Sequence, residues 1–144
     1  MIAEVFVTPL AADSIRLRHD EIASIWLHPA RKVVHHQIHQ PLPTAQLRSL
    51  LSEAARCLID HRATKWLADD RQLDEFDLTL LPWIEQELLP RTISGGWRHW
   101  ALILPMRPGA ARLMRDMAAR LAISGLTVFV FHDPETANAW LDAQ

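Results

Sequence analysis

The sequence predicts an α/β protein built on a mixed sheet. Three observations carry that prediction: an apolar run near the C-terminus, a helical period in the middle, and short strand-like runs at the start. Residues 126–131 read Leu-Thr-Val-Phe-Val-Phe, an apolar run of strand length bounded by Gly125 and His132, which predicts a buried strand. Asp133 and Pro134 follow as a helix cap and a first-turn proline, and Ala139, Trp140 and Leu141 close the short helix they open.

Taken in order, residues 5–7, 14–18, 22–27 and 33–39 read as strands, with a turn at His28, Pro29, Ala30 and Arg31. Such short spacing favours antiparallel neighbours. From Pro41 the period becomes helical. Thr44 is positioned to cap a helix whose Leu47, Leu50, Leu51, Ala54, Cys57 and Leu58 share one face. Residues 64–68 predict a short central strand halted by Asp69, Asp70 and Arg71. Residues 76–93 predict a helix ending at Ser94, Gly95 and Gly96, and Pro90 within it lacks the N–H of a helical ladder, so the element should bend. Residues 97–104 form a strand apolar on both faces, Pro105 stops it, and residues 110–123 form a helix closed by Gly125. The second half thus runs β-α-β-α-β-α with connections that demand parallel pairing, and the first half adds an antiparallel part. The expected sheet has five to seven strands with helices mainly on one face.

At 144 residues the chain has room for one domain, and 49% hydrophobic with 22% charged residues are globular proportions. A net charge of −2, with basic residues scattered singly among acidic ones, lacks the electrostatic footprint of a nucleic-acid binder. No apolar run is long enough to span a bilayer, and the early Glu4 with few apolar residues around it does not make a signal peptide. Cys57 is the single cysteine, so no disulfide can form within the chain, and a cytoplasmic location is expected. Its position in a helical pattern suits a small apolar residue better than a reactive thiol.

The order of elements and several residues resemble the STAS-like family of small bacterial proteins, related to the sporulation anti-sigma-factor antagonist and sharing a fold with CRAL-TRIO domains. The matching residues are Trp66 to Arg71 at a strand end, a helix bearing Trp83 and Pro90, Gly96, the strand Trp100 to Pro105, and the closing Phe131, His132, Asp133 with Ala139, Trp140 and Leu141. The resemblance covers nearly the whole chain as a single STAS-like domain and implies a regulatory, protein-binding role. Antagonists of this kind present a phosphorylatable Ser where a central strand meets its helix. Here that turn reads Asp69, Asp70, Arg71, Gln72, Leu73, Asp74, with neither Ser nor Thr, so a phosphate switch of that type is not expected.

In open α/β sheets ligands gather outside the carboxyl ends of the parallel strands. Candidate ligand-binding residues at that rim are Asp69, Asp70 and Arg71 after the first parallel strand, Arg107 beside Met106 after the second, and His132 beside Asp133 after the third. Helix caps and loop ion pairs account for the same residue types without a ligand. His28, His35, His36 and His39 suggest a metal. On a strand, however, His35 and His39 stand roughly 13 Å apart and His36 faces the other way, so no metal or other cofactor is expected. No catalytic residues are assigned, because no Ser or Cys sits in a nucleophile motif. Six Trp without a Tyr are unusual: Trp66, Trp83, Trp100 and Trp140 fall at core phases, whereas Trp26 and Trp97 lie near turns where exposed rings would suit an interface.

Three readings make different demands. A non-catalytic interaction module with a protein partner, or a dimer joined through an edge strand or Trp-bearing surface, needs an apolar surface patch. A carrier of an apolar or amphipathic small ligand needs a cavity of several hundred cubic ångströms beside Trp83, Leu88 and Leu102. A hydrolase or lyase needs Asp70 and His132 within about one bridging water of each other.

Overall fold

A computed structural model describes residues 13–144, and the strand expected at residues 5–7 lies outside them. Among the described residues six strands form one sheet in sequential order: β1 (Ile15–His19), β2 (Ala23–His28), β3 (Val33–Ile38), β4 (Lys65–Asp69), β5 (His99–Ile103) and β6 (Thr127–Phe131). β1, β2 and β3 pair antiparallel, while β3, β4, β5 and β6 pair parallel. The fold is therefore α/β with a mixed sheet, and its parallel part is one strand larger than the second half of the sequence alone suggests. The helix α1 (Thr44–Asp60) carries the chain back across the sheet, so β4 starts beside the start of β3.

The connecting helices are α1, α2 (residues 81–94) and α3 (Pro108–Leu121), and α4 (Pro134–Asp142) closes the chain. Right-handed crossovers that always step to the next strand place their helices on one face. Accordingly α1, α2 and α3 bury Leu50, Leu58, Ile84, Leu88, Met114 and Met117 against Ile25, Val34, Trp66, Trp100 and Leu102. α4 is not a crossover, and it packs Ala137 and Leu141 on the opposite face against Val33, Leu67, Ala101 and Ile103. Each fully buried Leu or Ile contributes roughly 1.5–3 kcal/mol, so the three-helix face holds most of the stabilising area.

Local departures from expectation have local causes. Thr44 does not cap α1: Pro43 occupies the cap position, and Thr44 Oγ1 donates to Asp77 Oδ2 at 2.9 Å, tying the start of α1 to the loop before α2. α2 is one continuous helical segment made of Leu81–Trp83, a π turn at Ile84–Leu88 and Leu89–Ser94. Pro90 has no N–H to continue an α ladder, and its ring would press on the carbonyl one turn back. The widened turn, in which the Leu89 N–H reaches the Ile84 carbonyl, relieves that conflict. Trp97, expected near the surface, is fully buried beside Trp66 and Trp100, while Trp26, Trp83 and Trp140 are half-buried. The run 126–131 is not a buried strand: among the described residues β6 is the last strand of the sheet, and Phe129 is 53% exposed.

Candidate functional site

The rim residues separate into distinct environments. Asp69 and Asp70 are consecutive on extended backbone, so their side chains leave opposite faces of the sheet. The buried Asp69 carboxylate takes a two-pronged bond from the Arg71 guanidinium, Nε to Oδ1 at 2.9 Å and Nη2 to Oδ2 at 2.7 Å. That hydrogen bond raises the Arg71 pKa against the opposing effect of its partial burial, and Asp133 adds attraction. Arg107 pairs instead with Asp74, Nε to Oδ1 at 2.7 Å, on the exposed surface. His132 is exposed and helps line an open groove of about 710 Å³ with Leu104, Met106, Arg112 and Arg115. Of the five candidates, only Asp69 and Arg71 are brought into contact.

Asp70 turns inward. Its Oδ1 accepts from His36 Nε2 at 2.7 Å, and both side chains are almost wholly removed from solvent. Trp66 Nε1 donates to His36 Nδ1 at 2.9 Å. An indole N–H can only donate, so Nδ1 is the acceptor and the imidazole proton is assigned to Nε2, pointing at Asp70. The ring is fixed between one donor and one carboxylate and has no nitrogen left for a substrate. Beyond it Trp66, Trp97 and Trp100 form a cluster with ring centroids 4.9 to 6.3 Å apart. The buried Trp100 Nε1 has no hydrogen-bond partner among the described residues. A cavity of about 20 Å³ lies between Asp70, Trp100 and the π-turn residues Ile84 and Leu88. That space suits one water molecule, which would find polar partners in Asp70 and Trp100. Leu88 lines it as the carrier reading requires, but Trp83 and Leu102 do not.

The histidines divide in the same alternating way. His36 faces α1, whereas His28 and His35 lie together on the other face, their rings 5.8 Å apart, with Trp26 at 5.0 Å from His35. Burial drives the His35 pKa down to about 3, and burial also lowers His28 and His39. Ser24 Oγ sits between His19 Nδ1 and His39 Nε2, 2.7 Å from each. Among the described residues no group of three or more His, Cys, Asp or Glu side chains is arranged to hold a metal.

The sheet edges are the remaining candidates. β1 carries Arg16, Arg18 and His19 and a register shift between Arg16 and Arg18, features that discourage pairing with another strand. β6 reads Thr-Val-Phe-Val-Phe and carries neither charge nor proline nor bulge. Its backbone alternation follows from two bonds. Thr127 N–H donates to the Arg98 carbonyl at 3.0 Å, and the Phe131 carbonyl accepts from Leu104 N–H at 2.9 Å. Residues 127, 129 and 131 therefore address β5, and the N–H and C=O groups of Val128 and Val130 point away from the sheet. Beside that edge the Phe129 ring stacks on Trp140, centroids 5.0 Å apart and planes 13° apart, with Phe131 at 5.7 Å from the same indole. Sequence reading named an edge strand or a Trp-bearing surface but did not locate it at β6, because a strand's place in the sheet order is not a local property of its residues. The chain matches no family model, no curated protein and no solved structure.

Proposed function

We propose that this protein is a non-catalytic, STAS-like regulatory module that acts by binding a protein partner, either another protein or a second copy of this chain. The observation that carries the reading is the outer β6 edge, which no strand among the described residues pairs: an uncharged strand whose Val128 and Val130 backbone groups find no partner among the described residues, beside the exposed Phe129 stacked on the half-buried Trp140. Soluble proteins ordinarily blunt such edges, and an extended segment of a partner can add to one by main-chain hydrogen bonds while an aromatic patch selects its side chains. The opposite edge is guarded, which makes β6 the face for strand addition. The small size of the inner cavity argues against a carrier, and the turning of Asp70 onto His36, away from His132, argues against an acid–base site. Regulation on this reading works through partner availability, since the turn at residues 69–74 offers no hydroxyl for phosphate.

The test is a titration of the isotope-labelled protein with a synthetic peptide carrying residues 126–131 flanked by lysines, followed through backbone amide shifts. Perturbation centred on Val128 and Val130 is expected. Amides of β6 that stay unmoved at millimolar peptide in the monomeric protein would contradict the reading.

A further inference from the structure

We infer that the occupant of the β6 edge is a second copy of this chain, joined by antiparallel pairing of β6 with β6 about a twofold axis through Phe129. The inference rests on the interaction-module reading and specifies its partner. Val128 and Val130 each present one donor and one acceptor outward. In an antiparallel ladder a hydrogen-bonded residue pair exchanges both bonds. A twofold axis at Phe129 sets Val128 of one protomer opposite Val130 of its partner, and the reverse, so all four free groups of each strand are satisfied. A shift of one residue would leave them facing groups already bonded to β5.

The side chains agree with that register. Phe129 of one protomer meets Phe129 of its partner at a position without hydrogen bonds, where Cα atoms approach to about 4.5 Å. Its ring leans on Trp140, so the axis gathers two Phe and two Trp rings into one apolar cluster. A partner of different sequence would have to supply a strand equally free of charge, whereas a second β6 does so by construction. Closed twofold pairing also uses up both bare edges and leaves the charged β1 strands at the ends of a continuous twelve-stranded sheet.

The experiment is light scattering across a concentration series, made on the wild-type chain and on Val130→Pro. A mass of twice the 16.5 kDa chain is expected for the wild type. Val130→Pro removes a donor that β5 does not use, so it should fold and run as a monomer. If that variant does not fold, Phe129→Lys, at a half-exposed site, gives the same readout through charge repulsion. Register is read separately in a Cys57→Ser background. Phe129→Cys should link the two protomers under mild oxidation, because its Cα separation across the axis suits a disulfide. Thr127→Cys, opposite residue 131 and roughly 13 Å from its own copy, should not. A wild-type monomer whose β6 amides still respond to the strand peptide overturns self-pairing and leaves the interaction reading standing. A monomer with no peptide response overturns both. A dimer that persists in Val130→Pro and Phe129→Lys overturns pairing at this edge.

Discussion

Removing the Asp70 carboxylate tests whether the inner network holds the sheet together. In Asp70→Ala the His36 Nε2–H loses its acceptor in a region closed to solvent, while Trp66 still ties Nδ1 and keeps the ring from turning away. Leaving a buried donor without its acceptor costs about 1–3 kcal/mol, more where the lost acceptor is charged, and the cavity of about 20 Å³ beside Asp70 can admit water that offsets part of the loss. A net loss of about 3 kcal/mol is the working figure. Unfolding entropy near 2.1 cal/mol/K per residue gives roughly 0.3 kcal/mol/K for a chain of this length, so the melting temperature should fall by about 10 °C. Asp70→Asn retains an oxygen that can accept from Nε2–H and should cost only about 1 kcal/mol, near 3 °C. The assay is thermal unfolding of the three proteins at one pH, followed by near-ultraviolet circular dichroism, which senses the Trp66, Trp97 and Trp100 cluster directly. The reasoning is refuted if Asp70→Ala melts within 3 °C of wild type, or if the two variants cannot be distinguished.

Other perturbations probe other parts of the account. His35 is held neutral to about pH 3 in the folded chain but titrates near 6.5 when unfolded, so the unfolded state binds the extra proton between those values. Stability is therefore full above pH 6.5 and declines as pH falls, by about 2 kcal/mol at pH 5 from this residue alone, and urea titrations at pH 8 and pH 5 should show that loss shrinking in His35→Leu. A Cβ at Gly95 would meet Ile59 Cγ1 at 2.5 Å, so Gly95→Ala should destabilise by about 1–3 kcal/mol, with Ile59→Ala relieving the clash in a double variant. At Gly109, within the first turn of α3, a Cβ meets nothing within 4 Å, and Gly109→Ala should be neutral or stabilise by up to about 1 kcal/mol in chemical denaturation.

Much of the fold was legible because its signals are local. The 3.6 period of α1, the Asp133 cap that accepts from Thr136 N–H at 2.8 Å, and Gly125 at φ +95° ending the turn after α3 all follow from neighbouring residues. The divergence of Asp69 and Asp70 was legible for the same reason. Parallel pairing of β3 with β4 was not, because strand direction there depends on the path of α1 across the sheet. The His36 and Asp70 bond spans 34 residues, and its signal was the placement of His36 on the same face as Val34 and Ile38, where a polar ring requires a partner. β6 read as interior because an apolar run looks alike in the middle of a sheet and at a bare edge. What distinguishes the two is the presence of a neighbour, and that emerges only from the assembled order of strands.

Native mass spectrometry of the freshly purified chain tests the central claim most directly, because it reports subunit number and any retained small molecule together. The account predicts a protein-only dimer. A monomer carrying a stoichiometric non-protein mass would contradict it and move the functional site from the β6 edge to the interior beside Asp70.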